Sequence, residues 1–339
     1  MDTDRRVLQV GAAAVVCALL FRLLGGGVME TTVQALSQQR VAEIILFLET
    51  GRAVRIQPPA DEPPLEDTVP RHTEPEETMA LLSEDIEEQS AVAFSQTDAA
   101  LISVRNSSSY DIDLAGALTK PLSWDLTGEE PTVLIIHTHG TESYVNTEGY
   151  AESSPYRSLD EGYNVISVGA RLAEALTQKG ICVLHDRTLH DHPSYNGSYN
   201  QARQTVSKYL AQYPSIQLVL DIHRDAATDA DGNQVAHALS TEKGSAAKMM
   251  LVLGSHTAGL PHANWQENFA LGAKLHAQLE KNQPGICRQL NLRSSRFNQD
   301  LMPGMVLVEM GAAGNTRQEA LLSAEILAQA IADLAHGTQ

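Results

Sequence analysis

The sequence predicts an α/β fold in which a mostly parallel or mixed sheet carries helices on both faces. Residues 133–136 form a continuous apolar run of strand length and residues 218–222 are mostly apolar, the pattern of strands buried on both sides. Residues 164–179 between them show the apolar spacing of an amphipathic helix. Alternation of such strands and helices with short connections is typical of a parallel sheet covered by helices.

The first segment of the chain is predicted to anchor it in a membrane. Residues 7–21 carry no charge, and with the apolar residues after Arg22 the segment reaches about 20 residues, enough to cross a bilayer. Arginine near one end can place its charge at the interface. Arg5 and Arg6 precede the segment, so the positive-inside bias predicts a single pass with the bulk of the chain outside. A cleaved signal peptide is the alternative, but no A-x-A-like site follows the apolar run.

Three further regions follow this anchor, which spans residues 1–29. Residues 30–57 have apolar side chains at helical spacing and are predicted to form a juxtamembrane amphipathic helix. Residues 58–119 are assigned to an acidic linker, because the Pro-, Glu- and Asp-rich part of this segment cannot bury enough apolar area to fold. Residues 120–339 contain the strand and helix patterns and are predicted to be the catalytic domain.

Charge and composition exclude some classes of function. The formal net charge is −18 and aromatic residues make up 5% of the chain, so neither phosphate binding nor base stacking is favoured and no nucleic-acid partner is expected. The chain has three cysteines, of which Cys17 lies in the anchor. Cys182 lies within a predicted strand rather than at its end beside a histidine, which disfavours a cysteine nucleophile.

The first motif lies in residues 131–144, PTVLIIHTHGTESY, where a buried strand ends in a polar turn. His139 and Glu142 form an H-x-x-E spacing, which can direct an imidazole and a carboxylate at one metal ion. His137 lies on the same side of an extended chain as His139, so the sequence does not separate them as ligands. We choose His139 because only it makes the H-x-x-E spacing.

Two later strands also end in side chains suited to metal chemistry. The run LVLDIHRD, residues 218–225, ends in His223, Arg224 and Asp225. The run MVLVE, residues 305–309, ends in Glu309. The carboxyl ends of parallel strands are where α/β sheets place their active sites.

These strand ends together predict a Zn²⁺ site. Zinc hydrolysis of an amide needs three protein ligands, an open position for water and a base. His139, Glu142 and His223 supply the ligands, and Glu309 is the candidate base and proton donor to the leaving amine. Arg224 can polarise the scissile carbonyl or hold a substrate carboxylate.

A second cluster of histidines and aspartates occurs in residues 185–192. It is the rival metal site, but it lies within one loop, and ligands from separate strand ends are better pre-organised. We therefore expect these residues around the rim, with His190 or Asp191 in contact with substrate.

The motifs HTHGTESY, LDIHRDA and LVEMGAAGNTRQEA resemble stage II sporulation protein P, a family of membrane-anchored cell-wall hydrolases distantly similar to zinc-dependent N-acetylmuramoyl-L-alanine amidases. The resemblance covers roughly residues 128–334. It implies that Arg224 and Asp225 orient His223 or its loop. It also implies a second activity on peptide crosslinks, and partnership with stage II sporulation protein D and the membrane protein of the same engulfment complex.

The sequence therefore predicts a membrane-anchored zinc hydrolase that acts on peptidoglycan outside the cell membrane. The rival class is a non-catalytic, membrane-tethered module that binds or organises the wall. Retention of His139, Glu142, His223 and Glu309 disfavours it, because a degenerate site is expected to have lost at least one of them.

Overall fold

The computed structural model describes residues 94–122, 124–145, 156–256 and 261–336. The predicted anchor, the juxtamembrane helix and most of the linker lie outside the described residues. None of the helices within these ranges has the length and apolar character needed to cross a membrane.

The described strands and helices alternate along the chain. The strands are β1 Val104–Asn106, β2 Val133–Ile136, β3 Val183–His185, β4 Leu218–Asp225, β5 Ala238–Thr241, β6 Gly244–Ala247, β7 Met249–Gly254, β8 Leu290–Arg293 and β9 Met305–Ala312. The α-helices are α1 Leu114–Thr119, α2 Val165–Thr177, α3 Ser198–Gln212, α4 Trp265–Asn282 and α5 Arg317–His336. Short 3-10 helices occupy Gln96–Leu101 and Gln299–Leu301.

Seven strands form one mixed sheet in the order β1-β8-β7-β9-β4-β2-β3. Strands β9, β4, β2 and β3 are mutually parallel, and β7, β8 and β1 run the opposite way, so the only antiparallel pairing in this described sheet joins β7 to β9. The prediction of a mostly parallel or mixed sheet is confirmed. The carboxyl ends of β2, β4 and β9 consequently lie side by side.

Helices pack on both faces of this sheet, as predicted. Along β2, Val133 and Ile135 belong to the core that includes α1, α2, α4 and α5, whereas Leu134 and Ile136 belong to the core under α3. The same alternation along β4 places Val219 under α3, and Asp221 and His223 follow at the same period of two. The site therefore develops on the face that α3 covers.

The folded region begins earlier than the sequence analysis predicts. Residues 94–119, assigned there to the acidic linker, include a 3-10 helix, β1 and α1, and they bury Phe94, Ile102 and Leu118 in the main core. The antiparallel hairpin of β5 and β6 was also not predicted. Its residues are mostly exposed, so they carry little of the apolar pattern that identifies a strand.

Candidate active site at the ends of three strands

The predicted zinc ligands and base lie in the carboxyl-terminal halves of three adjacent strands or in the turn that follows. Strand β9 continues to Ala312, so it does not end at Glu309 as predicted. His139 and Glu142 are in the turn after β2, His223 is near the end of β4, and Glu309 is in β9. His223 and Glu309 occupy paired positions across β4 and β9, and the register of this pair shifts immediately after His223. The shift bends the strand at the residue whose imidazole the site uses.

Glu142 and His223 form the closest contact within the predicted ligand set. Nδ1 of His223 lies 3.4 Å from Oε2 of Glu142, and both side chains are more than nine-tenths buried. Burial alone would raise the pKa of Glu142, but the interaction with His223 and the charge of Arg224 lower it to about 2. The Glu142 carboxylate is therefore ionised and faces the histidine.

Asp221 lies on the opposite side of the His223 ring. Its Oδ1 is 2.9 Å from Nε2 of His223, although the direction of this contact lies outside hydrogen-bond geometry. The same carboxylate accepts hydrogen bonds from the backbone N–H of Thr138 at 2.8 Å and from the Thr138 hydroxyl at 2.6 Å. Burial opposes the ionisation of both groups, but the Asp221 charge raises the pKa of His223 and His223 lowers that of Asp221 to about 2.

His139 joins the site through ring contacts. Its ring centroid is 5.2 Å from that of His223, with the two planes nearly perpendicular. Nδ1 of His139 is buried and has no hydrogen-bond partner within the described residues. The donor atoms of His139, Glu142 and His223 do not all lie within 4.8 Å of one another, so binding one ion requires His139 to move towards the other two.

Glu309 completes the group with a carboxyl atom that is also unpartnered. Its Oε2 is buried and has no hydrogen-bond partner among the described residues. Loss of solvent, reinforced by the negative charge of Glu142, raises the pKa of Glu309 to about 8. A carboxyl group with a pKa near neutrality is suited to accept and return a proton.

Hydrogen bonds to Asp191 hold the turn that contains His139 and Glu142. Asp191 accepts from the Thr141 N–H at 3.1 Å and the Thr141 hydroxyl at 2.6 Å, and pairs with Arg157 at 2.6 Å. His190 is buried, with Nδ1 2.8 Å from the carbonyl oxygen of His137 and Nε2 2.9 Å from the Thr205 hydroxyl. One of these two residues was predicted to contact substrate at the rim, but both are buried and bonded to the segment of residues 137–141, which they support.

His137 is directed away from the predicted ligands. Its Nδ1 lies 2.9 Å from the carbonyl oxygen of Ile222, and its Nε2 lies 2.9 Å from Nε2 of His185. Burial lowers the pKa of His137 to about 3, so its ring is neutral. Because both of its nitrogens are engaged, this geometry favours His139 over His137 as the metal ligand.

Arg224 and Asp225 are held by neighbouring segments. Arg224 donates from Nε to the carbonyl oxygen of Ser143 and from Nη2 to that of Tyr156, each at 2.8 Å, and its backbone N–H donates to Glu142 at 3.1 Å. Asp225 pairs with Arg288 at 2.8 Å. Arg224 therefore holds the backbone at Ser143 and Tyr156 and orients Glu142, and its buried guanidinium is not positioned on an open face.

Two tyrosines, one just before α3 and one in its first turn, contact the His139 ring. The Tyr195 ring stacks on His139 with centroids 4.4 Å apart and remains 54% exposed. Tyr199 meets the edge of His139 at 5.5 Å, and burial together with the Asp221 charge raises its pKa, so its hydroxyl remains a donor. A cavity of about 270 Å³ lies between His139 and these residues. A larger cavity of about 820 Å³, beside Arg171 and Lys243, contains none of the residues of the site.

The donors around His223 fit a divalent cation. Glu142, Asp221 and Glu309 bring three carboxyl groups to one buried region, and Nδ1 of His139 and Oε2 of Glu309 have no partner there. Buried polar atoms are normally paired, because an unpaired one costs about 1–3 kcal/mol. Two imidazoles and a carboxylate form a donor set that zinc commonly takes in catalytic sites.

Comparison with known proteins assigns the chain to a family. The sequence profile of stage II sporulation protein P (SpoIIP) matches residues 43–332. The chain belongs to the stage II sporulation protein P family. A curated member of that family, stage II sporulation protein P of Bacillus subtilis (strain 168), is 29% identical over 220 residues. That alignment covers 61% of this chain and 52% of the relative, so the chain spans about half the length of the family member it matches.

The solved structures that resemble this chain at low sequence identity include two amidases. The amidase Ami1 of Mycobacterium smegmatis is 17% identical, with a TM-score of 0.40, and the match covers 64% of this chain and all of that one. AmiC2 of Nostoc punctiforme is 16% identical, with a TM-score of 0.35 and coverage of 62% and 96%.

Several residues of the site were not selected from the sequence. Asp221 carries a signal there, since it interrupts the apolar run of residues 218–222 with a carboxylate, and a buried charge needs a partner. No such sequence signal marks Tyr195, Tyr199 or Arg157. Their partners are distant along the chain, and only the fold brings them together.

Proposed function

We propose that this protein is a zinc-dependent peptidoglycan hydrolase that cleaves the N-acetylmuramoyl-L-alanine amide. The observation that carries the proposal is the convergence of His139, Glu142, His223 and Glu309 at one sheet edge, with unpartnered buried atoms on His139 and Glu309. Membership of a sporulation protein family supports a cell-wall substrate and a role in septal wall degradation during engulfment.

The residues of the site divide the chemical work among them. His139, Glu142 and His223 would hold zinc, which when bound supplies Lewis-acid activation of water and of the amide carbonyl. Glu309 removes a proton from the attacking water and returns it to the leaving amine. Asp221 holds His223 in one orientation, and Arg224 holds Glu142.

Digestion of purified muropeptides tests the proposal. Amidase cleavage exposes a new L-alanine amino terminus without a new reducing sugar, and crosslink cleavage, the second activity proposed, exposes an amino group within the bridge. Both products should disappear after chelation and in His139→Ala and His223→Ala. An active protein in which these substitutions change neither turnover nor zinc content would contradict the proposal. Wall binding with no product would favour the non-catalytic module.

Its location and partners form a further part of the proposal. Residues 7–21 would anchor the chain in the cell membrane and place the catalytic domain outside, with stage II sporulation protein D and the engulfment membrane protein as partners. An alkaline-phosphatase fusion after Gln89 should be active if this orientation holds. If a cytoplasmic reporter fused after Gln89 were active and alkaline phosphatase at the same position were inactive, the orientation would be the opposite of the one proposed. If the protein did not co-purify with stage II sporulation protein D, the proposed partnership with that protein would be wrong.

A further inference from the structure

A second group of metal-binding side chains lies at the end of α4, apart from His139 and His223. His276 and Glu280 are four residues apart on this helix and so lie on the same side of it. Cys287 follows in the turn that leads to β8. One donor atom from each of the three lies within 4.8 Å of the other two. In the part of the chain that the structure describes, no other three His, Cys, Asp or Glu side chains meet this condition.

The His276 imidazole is unusual within this group. Its side chain is 2% exposed, and Nδ1 is buried without a hydrogen-bond partner among the described residues. A core histidine that serves only for packing normally has its ring nitrogens paired, because an unpaired polar atom costs about 1–3 kcal/mol. The group that contains Glu280 and Cys287 therefore also contains a buried histidine with an unpaired ring nitrogen.

The Glu280 carboxylate is fixed in place but has no charged partner. Oε2 accepts from the Gly285 N–H at 2.7 Å, and Oε1 accepts from the Cys287 N–H at 2.8 Å. Each oxygen retains a second lone pair. Within the described residues, no lysine, arginine or histidine nitrogen pairs with this carboxylate within 4.0 Å; the adjacent Lys281 pairs with Asp98 instead. These hydrogen bonds orient the carboxylate, as surrounding groups do for metal ligands.

Two other roles for Cys287 are disfavoured. It is not in a disulfide, since Cys182 and Cys287 are both free. Burial raises the pKa of the Cys287 thiol, which makes it a poor nucleophile. Its sulfur lies 4.0 Å from the carbonyl oxygen of His276, a weak contact.

We propose that His276, Glu280 and Cys287 bind a second zinc ion, distinct from the one at His139, Glu142 and His223. A thiolate, a carboxylate and a neutral imidazole together balance a double positive charge, and nitrogen, oxygen and sulfur are the donors that zinc takes. Donors around a tetrahedral zinc ion are about 3.5 Å apart, so the group needs only a small contraction.

The position of this second site gives it a structural role. It ties the end of α4 to the turn before β8, and Arg288, the residue after Cys287, pairs with Asp225 at 2.8 Å. Asp225 is two residues beyond His223 on β4. Zinc at Cys287 would therefore stabilise the segment that supports the end of the strand carrying His223.

Cobalt substitution in the full-length protein tests the second site directly. In a Cys17→Ser, Cys182→Ser background, Cys287 is the only thiol of the chain. Co²⁺ should then give a thiolate-to-cobalt charge-transfer band in the near ultraviolet, which the site at His139 and His223 cannot produce because it has no sulfur donor. The band should persist after His223→Ala and disappear after Cys287→Ser. Absence of the band in the background protein would overturn the proposal.

Zinc stoichiometry provides an independent measurement. The wild-type chain should hold about two zinc ions, and Cys287→Ser, His276→Gln and His223→Ala about one each. In the His223→Ala variant, zinc should still raise the melting temperature, and adding His276→Gln should abolish that rise. Wild-type zinc content in both Cys287→Ser and His276→Gln would overturn the second site. If only His223→Ala kept the wild-type zinc content, the result would contradict the catalytic zinc site and leave the proposed site at His276, Glu280 and Cys287 intact.

Discussion

His223 on β4 and Glu309 on β9 face each other across adjacent parallel strands as a paired position of the sheet. The imidazole lies between the Glu142 and Asp221 carboxylates, and the unpartnered Oε2 of Glu309 completes the group. The pairing of β4 with β9 thus sets the separation between the proposed metal ligand and the proposed base.

Replacing Glu309 by glutamine should lower turnover on muropeptides by about 10²- to 10⁴-fold. The amide keeps the shape of the side chain but cannot take up a proton. Zinc content should remain that of the wild type, as measured by plasma mass spectrometry. Loss of zinc in this variant would instead make Glu309 a ligand, and unchanged turnover would remove it from the reaction.

Replacing Asp221 by asparagine should weaken zinc binding by about 10- to 100-fold, because the charge that holds the far side of the His223 ring is lost. Competition with a chelator measures the affinity. Asp231→Asn, at an exposed turn, is the matched control and should bind zinc as the wild type does. Equal affinities in the two variants would show that Asp221 does not orient His223.

Removing the Tyr195 ring should weaken zinc binding by about 2- to 12-fold, since stacking on His139 holds that imidazole in place. Tyr195→Ala tests the ring, and Tyr195→Phe, which keeps the stack, should resemble the wild type. The same chelator competition applies to both. If phenylalanine were as harmful as alanine, the hydroxyl rather than the stack would be the important group.

Introducing a methyl group at Gly169 in α2 should destabilise the protein by about 1–3 kcal/mol, although alanine is favoured over glycine in helices by about 1 kcal/mol. A Cβ there would lie 2.5 Å from Nε2 of His137 and 2.8 Å from Nε2 of His185. Urea denaturation measures the change. Gly162→Ala, where a Cβ meets only Asp160 at 3.2 Å, is the control. Equal stabilities of Gly169→Ala and the wild type would mean that the histidine pair can move aside.

Lys274 should give the protein a defined dependence of stability on pH. Burial, and then the charge of Lys120, lower its pKa from 10.5 to about 8, while its ammonium group donates to the carbonyl oxygens of Ala117 and Leu118. Between pH 8 and 10.5 the unfolded chain keeps this proton and the folded chain releases it, so this group's contribution to stability rises with pH.

The comparison of wild type with Lys274→Met isolates this effect. The free energy of unfolding of the wild type, relative to the variant, should increase between pH 7 and pH 10 in urea titrations. A constant difference would show that the lysine pKa is the same in the folded and unfolded chains.

The sequence predicted the parts of the fold that are encoded locally. Strand β2 and helix α2 were placed within two residues of their observed ends, because a doubly buried strand and an amphipathic helix each leave a recognisable pattern. Strand β8 was missed, since its apolar residues are few and are interrupted by Asn291. The convergence of strand ends followed from parallel topology, so the candidate residues could be listed before the fold was known.

What the sequence could not provide was the direction of each side chain. His190 and Asp191 form a conspicuous motif, yet one bonds the backbone of His137 and the other the backbone of Thr141. His137 and His139 are equivalent in a pattern of period two, and only the contact of His137 with His185 separates them. Such contacts join residues tens of positions apart and leave no periodic trace.

The strand order also determines when the site can come into existence. His139, His223 and Glu309 enter in the order β2, β4 and β9, and β9 is inserted between β4 and β7 as the last strand of the sheet along the chain. Until β9 is in place, β4 has an unpaired edge and Glu309 is absent. Because a chain is synthesised from its amino-terminal end, the group formed by His139, His223 and Glu309 cannot be complete until almost all of the chain is available to fold.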